Sequence, residues 1–257
     1  MNRRAALWDE PASRDFPEVL NRGKVSMQAE PRLRNLVTVP FTRKLEEVVQ
    51  IWVPLVNCLE LKPGYPDFCD GTPPVDAYAR ETKQGKSLWF YQSCASHGCN
   101  IVGGPYFAGW PSYMIDMPGA SNRVMQWLAW KYRIEGELYY SMDEAYGQDN
   151  DPWVNIRLFG GNGDGTLFYP GRPDRIGGRT DIPIESIRLK LIREGMEDYE
   201  YLALLAKLDG TQSTGQYVDR IVKKPYLWES RPEFFLKVRQ DLGEALDRAA
   251  ARSGGSM

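Results

Sequence analysis

The sequence is poor in the residues that usually announce metal or thiol chemistry. It has one histidine and four cysteines in 257 residues. It has no apolar run near the roughly 20 residues that a membrane-spanning helix requires. It has no excess of one charge either: 32 Lys and Arg against 34 Asp and Glu, a net charge of -2. That balance leaves no electrostatic footprint for nucleic acid or an anionic membrane. The start, Met1-Asn2-Arg3-Arg4, is basic but no apolar segment comes after it, so it is not a signal peptide. Export of a longer parent protein is left open.

The cysteines are Cys58, Cys69, Cys94 and Cys99. Four cysteines allow three pairings, and their spacing selects none. Cys94-x-x-His97-x-Cys99 has part of a zinc pattern, but structural zinc takes four ligands, often as closely spaced cysteine pairs. Free thiols are expected first, a loop disulfide second and zinc last. His97 reads equally as a loop residue or a substrate contact.

What the chain does have is aromatic residues, with 8 Trp and 14 Tyr, several beside Gly or Pro. A pyranose ring presents a flat C–H face that stacks on such rings, although burial in a core is the commoner use of any one of them. Apolar content is 42% and charged content 26%, as in an ordinary globular protein large enough to bury a substantial core.

Short apolar runs alternate with helical patterns. Strands are expected over 4–9, 33–39, 48–53, 87–92 and 136–141, with helices over 17–29, 75–83 and 120–133. This alternation predicts a parallel α/β sheet. Long loops after the strands suit a (β/α)8 barrel, whose active site is built at the carboxyl ends of the strands. Five strands fall short of eight, so the expected fold is an incomplete TIM barrel, about its last five strands, with a C-terminal helical extension. A doubly wound sheet is the alternative. Beyond this part lie a glycine-rich loop (160–165), a brief strand (166–169), a long helix from Pro183 to about Leu208 and a last helix over 232–249. The expected division is 1–145 for the partial barrel, 146–210 for the loop and long helix completing it, and 211–257 for a C-terminal helical region.

Asp9 and Glu10 come after Leu7-Trp8 and precede Pro11. In a regular strand adjacent side chains face opposite ways. At a strand end the chain leaves the sheet, and both carboxylates can reach one cleft. Glycosidic cleavage needs an acid for the leaving oxygen and a group that stabilises the developing cation. Where the substrate's own acetamido oxygen attacks, the second carboxylate orients that amide, and adjacency suits this variant. The bland reading is a solvated acid pair before a helix. Trp52, Trp89, Tyr91 and Tyr140 lie near strand ends as candidate sugar contacts. Tyr91 and Tyr140 are the better pair, since Trp52 and Trp89 can equally face the barrel wall. Trp110, Tyr113 and Trp153 are candidates on loops. Asp164 reads as a loop cap or a substrate-face residue, and Glu197, Asp198 and Glu200 as a helix buttress paired with Arg188 and Arg193.

These segments resemble the carboxyl-terminal part of the glycoside hydrolase 123 catalytic domain, also catalogued as DUF4091. The resemblance rests on Trp8-Asp9-Glu10-Pro11, Ile51-Trp52-Val53-Pro54, Leu88-Trp89-Phe90-Tyr91, the run from Gly160 to Gly171, Ile182 to Leu189, and above all Arg193-Glu194-Gly195-Met196-Glu197-Asp198-Tyr199-Glu200-Tyr201-Leu202. It implies a β-N-acetylgalactosaminidase using a substrate-assisted retaining mechanism, with Glu10 as acid/base and Asp9 as the amide-orienting carboxylate. No metal or cofactor is expected. The partner is a glycan or glycoside, with neither nucleic acid nor membrane. The family has further barrel strands upstream. A missing N-terminal half, a partner chain or a second copy is therefore expected to cover the barrel edges. The competing readings are an inactive fragment of such an enzyme and a carbohydrate-binding or structural protein.

Overall fold

The computed structural model describes residues 4–69, 71–98, 104–147 and 151–254. They form two compact units. The first runs to Gln92 and takes up Arg133–Leu138; the second comprises Ser93–Tyr132 and the chain from Tyr139 onward.

The first unit is built on five strands: β1 (Arg4–Trp8), β2 (Arg34–Val37), β3 (Ile51–Trp52), β4 (Ser87–Tyr91) and β5 (Gly136–Leu138). All pair in parallel, in the order β1-β2-β3-β4-β5. Sequential order is the winding of a barrel; a doubly wound sheet reverses its strand order partway across. The sheet is consistent with part of an α/β barrel, and among the described residues β1 and β5 do not meet to close it. Helices α1 (Phe16–Ala29) and α2 (Val75–Lys83) are the connections that pack on it. Leu36, Ile51, Val53 and Trp89 form a buried cluster, with Tyr91 and Leu138 packed against it. These residues are apolar and lie in the strands or, for Val53, directly after β3, so burying them and pairing the strands are one event.

All five strands are shorter than expected, β3 most of all. Val48 and Val49 both donate their amides to the Leu45 carbonyl, so a turn takes them and β3 keeps only Ile51 and Trp52. The strand expected over 136–141 ends at Leu138.

In the second unit, α3 (Cys94–His97) comes first and α4 (Gly119–Tyr132) comes next. After α5 (Glu144–Gly147), β6 (Arg157–Leu158) and β7 (Gly161–Asn162) form a small antiparallel hairpin. Its two connecting residues, Phe159 (φ 49°) and Gly160 (φ 82°), are both left-handed, the geometry that matches strand twist in a two-residue turn. A second hairpin pairs β8 (Phe168–Gly171) with β9 (Ile182–Glu185), around the short α6 (Pro173–Ile176). The long helix therefore starts later than expected: Pro183 sits in β9 opposite Pro170, and α7 spans Ile187–Asp209. The Ser186 hydroxyl accepts from the Leu189 amide and sets that start. The expected C-terminal helical region opens with α8 (Thr211–Ile221) and the hairpin β10 (Val222–Lys224) with β11 (Leu227–Trp228). The final helix α9 runs over Pro232–Gly254. Among the described residues, no helix is long and apolar enough to cross a membrane.

Candidate active site

In the first unit three strand ends bring polar groups together. A register shift between Ala6 and Trp8 irregularises β1 as it leaves the sheet, a device that commonly re-aims side chains beside active sites. Asp9 and Glu10 come next, both exposed. Glu10 has φ 44°, a left-handed conformation that a non-glycine residue adopts only when its surroundings hold it there. The holding group is Thr38, the residue after β2. Its hydroxyl accepts from the Glu10 amide at 2.5 Å and donates to Asp9 Oδ1 at 2.9 Å. One hydroxyl thus fixes both acids. From the end of β4, the Tyr91 hydroxyl donates to Glu10 Oε1 at 2.6 Å. Burial raises the Tyr91 phenol pKa far above its ordinary value, with further upward pushes from the hydrogen bond to Glu10 and the charges of Glu10 and Asp9. Tyr91 therefore stays a proton donor across the working pH range.

Asp9, Glu10 and Tyr91 are brought together as their strand-end positions suggest. Thr38 escapes the sequence reading, although a signal for it exists: it is the first polar residue after Leu36-Val37 and precedes Pro40, the same strand-end logic that singles out Asp9. Trp52 and Trp89 belong to the wall. Trp52 is fully buried, donates its indole N–H to Glu81 Oε2 at 3.1 Å and meets Phe41 edge-on. Trp89 lies in the sheet's apolar cluster.

The loop after β3 is closed by a disulfide between Cys58 and Cys69. Cys94 is also disulfide-bonded. The expectation of free thiols at these positions is corrected: the bridge joins two cysteines 11 residues apart across a loop of turns and irregular chain. Cys99 lies outside the described residues.

The other aromatic candidates belong to the second unit and divide by burial. Trp110 is fully buried against Tyr106 and Tyr226, and Tyr113 is buried with its ring on Tyr139. Tyr140 is 72% exposed and Trp153 is 42% exposed. The Trp153 indole donates to the Pro170 carbonyl, and its ring lies 4.9 Å from that of Tyr169.

His97 joins a buried polar chain rather than a metal site. Its Nδ1 pairs with the Ser112 hydroxyl at 2.9 Å, and its Nε2 lies 3.3 Å from Asp164 Oδ2. The trio has the composition of a hydrolase triad, but Ser112 is fully buried and its oxygen also accepts from the Met114 amide, so no substrate carbonyl can approach it. It acts as a clasp on the glycine-rich loop. Arg188 completes that clasp. The sequence reading pairs Arg188 with the acidic helix cluster; instead its guanidinium donates to the carbonyls of Tyr113, Gly163 and Thr166. The buttress role falls to Asp198, which is fully buried and held by Arg123, Arg239 and Trp127. Arg193 pairs with Glu194 and Glu197 on the surface.

Residues 25–205 match the family model described as "Glycoside hydrolase 123, catalytic domain", well over half of the chain. The match begins after Asp9 and Glu10 and includes Thr38, Tyr91, the glycine-rich loop and most of α7. Comparison with curated proteins finds no match.

Proposed function

Since this chain belongs to the glycoside hydrolase 123 catalytic-domain family, we propose that it carries the acid pair of a glycosidase that releases β-linked N-acetylgalactosamine by a substrate-assisted retaining mechanism. The observation that supports this reading most is the shared anchoring of Asp9 and Glu10 by the Thr38 hydroxyl, with Tyr91 on Glu10.

In this reading Glu10 protonates the glycosidic oxygen as the bond to the anomeric carbon breaks. The substrate's acetamido oxygen attacks that carbon from the opposite face, giving an oxazolinium ion. Asp9 accepts a hydrogen bond from the acetamido N–H, which aims the oxygen and balances the positive charge. Glu10, now a carboxylate, takes a proton from the incoming water, and the ring opens with net retention. Tyr91 holds one oxygen of Glu10, leaving the other to face the leaving group. Thr38 fixes the angle between the two acids. Tyr140 and Trp153 are exposed in the second unit. Trp52, Trp89, Trp110 and Tyr113 act as structural supports.

Among the described residues, the outer strands β1 and β5 have a sheet neighbour on one side only, and proteins ordinarily cover such edges. We take the natural state to be one in which further strands, from upstream sequence, a partner chain or a second copy, complete the barrel around this site. Hydrolysis of an aryl β-N-acetylgalactosaminide by the completed domain tests the assignment. Glu10→Gln and Asp9→Asn should each lower kcat by about 100-fold or more, in line with loss of general acid or charge stabilisation. Wild-type rates in both variants refute it.

A further inference from the structure

The two hydroxyls that hold the acid pair are spaced by one stretch of backbone. Val53 comes directly after β3, and its amide donates at 3.0 Å to the carbonyl of Val37, the residue before Thr38. The Pro54 carbonyl accepts from the Tyr91 amide at 3.2 Å, and Leu55 forms a parallel bridge with Tyr91. The corner at residues 53–55 therefore lies between the backbones that carry Thr38 and Tyr91. We propose that the Cys58–Cys69 bridge positions this corner, and through Tyr91 the Glu10 carboxyl, so that reducing the bridge with a dithiol slows hydrolysis without weakening substrate binding.

The link runs through one short turn. The Cys58 amide donates to the Leu55 carbonyl at 2.8 Å and closes the turn Val56–Cys58. Val56, Cys58 and Leu59 are buried, so turn and corner are packed as one piece. The far half of the loop braces itself. Asp67 accepts from the amides of Cys69, Gly71 and Thr72 and from the Thr72 hydroxyl, at 2.7–2.9 Å. The bridge joins this knot covalently to the turn. Leu61 and Phe68, on the chain between the two, are exposed. The Tyr78 hydroxyl adds a single hydrogen bond to the Cys58 carbonyl, at 3.3 Å. Since β3 has only two residues, few ladder bonds hold the corner from its other side.

Cys69 is half-buried and Cys58 buried, so Cys69 is the sulfur that a reductant reaches. A dithiol's thiolate attacks the Cys69 sulfur, the S–S bond breaks, and Cys58 leaves as a thiolate that takes up a proton. The reagent's second sulfur then closes on its first and releases Cys69 as a thiol. The protein gains two electrons and two protons, and the dithiol becomes a cyclic disulfide. Opening the bridge frees the chain beyond Cys58, and the corner loses its covalent stop. The Tyr91 hydroxyl then leaves the 2.6 Å separation that it keeps from Glu10 Oε1. Misplacing the acid acts on proton transfer and not on contacts with the sugar, so the loss falls on kcat.

The effect on rate rests on the reading of Glu10 as the acid; the positioning of Tyr91 does not. Cys69→Ser opens this bridge and leaves the one at Cys94 intact. Kinetics of the completed domain on an aryl β-N-acetylgalactosaminide, at a temperature where melting curves show full folding, should give a kcat lower by about 10-fold with KM within about twofold. Dithiothreitol on the wild type should reproduce that loss. In a Tyr91→Phe background Cys69→Ser should add nothing, because the hydroxyl it acts through is gone. Amide exchange on the full chain reads the coupling without catalysis: the Tyr91 amide should exchange about 10-fold faster relative to that of Leu36. A wild-type kcat in Cys69→Ser, a rise in KM in place of the loss, a full further loss in Tyr91→Phe, or an unchanged exchange ratio would each overturn the inference. So would an equal loss when dithiothreitol treats Cys69→Ser, which assigns the effect to the bridge at Cys94. Faster Tyr91 exchange in a protein that hydrolyses nothing would sustain the positioning of Tyr91 and sink the catalytic reading alone.

Discussion

Replacing Asp198 with asparagine removes one charge and almost no volume, so its effect reads the electrostatics of the second unit's helical core directly. Asp198 sits on α7 with no solvent exposure. Its Oδ1 accepts from Arg123 Nη2 at 2.7 Å and from Arg239 Nε; its Oδ2 accepts from Arg123 Nε at 2.5 Å and Trp127 Nε1 at 2.9 Å. Helices α4, α7 and α9 therefore converge on one carboxylate. An asparagine must turn an NH2 toward one of those two oxygen positions. Either orientation faces two donors with a donor. Two charge-assisted bonds are lost, each worth about 1.5–3 kcal/mol. Two guanidinium groups also lose the charge that balanced them, and breaking a buried ion pair costs about 3–5 kcal/mol. We expect Asp198→Asn to destabilise the unit by about 4 kcal/mol and to lower its melting temperature by roughly 8–16 °C. Chemical unfolding followed by tryptophan fluorescence is a suitable assay, because Trp127 lies in the network. A loss below about 1 kcal/mol would refute the claim that this carboxylate organises the three helices.

The close approach of α4 and α7 gives a second prediction. A Cβ on Gly195 would lie 2.5 Å from Gln126 Oε1 and 2.8 Å from the Arg123 carbonyl. Gly195→Ala should therefore cost about 1–3 kcal/mol by overpacking, despite its better helix propensity; a stabilised variant in thermal unfolding contradicts this. Removing the Cys58–Cys69 bridge by Cys58→Ser should cost about 2–3 kcal/mol through freedom regained in the unfolded chain, and an unchanged denaturation midpoint would show the loop to be braced by other means. Stability should also fall on the alkaline side. Tyr78, Tyr91 and Tyr139 all have phenol pKa values raised by burial, so their contribution is complete below the unfolded value of about 10 and is lost as pH rises above it. Melting temperatures that stay level between pH 9 and 11 would contradict that sign.

Local pattern reveals much of the sheet. Apolar runs ended by Pro40 and Pro54, and the aromatic run Leu88-Trp89-Phe90-Tyr91, locate strands because few other structures tolerate those residues side by side. Helix α2 has the bounds its pattern suggests. The failures have physical causes. Ile182-Pro183-Ile184-Glu185 looks helical when joined to Ser186-Ile187-Arg188-Leu189, and only its pairing with Phe168–Gly171 makes it a strand. Helix α8 is masked by Thr, Ser and Gly residues of low propensity, and is stabilised by packing on α4, α7 and α9. Aromatic side chains are the least legible. Trp110 and Tyr140 both sit in glycine- and proline-rich or loop surroundings, yet one is sealed in a core and the other is exposed. Composition cannot separate them, because the same ring serves either purpose. Asp9 and Glu10 are legible from their place at a strand end, whereas Thr38 exerts its effect through a single hydroxyl that no motif advertises.

The route of the chain between β4 and β5 restricts how this protein can be taken apart. After Gln92 it leaves the first unit, spends Ser93–Tyr132 in the second, returns for Arg133–Leu138 and leaves again. The fifth strand is thus a short splice of a few residues, stitched into the sheet from far along the sequence. No single stretch of coding sequence encodes the first unit. A shortened gene ending after residue 92 would lack β5, and a protease nick within 93–132 would leave that strand held in its sheet only by non-covalent contacts, its pairing with β4 and the packing of Leu138. Domain dissection of this protein therefore calls for circular permutation or a designed bypass from Gln92 to Arg133, not a stop codon.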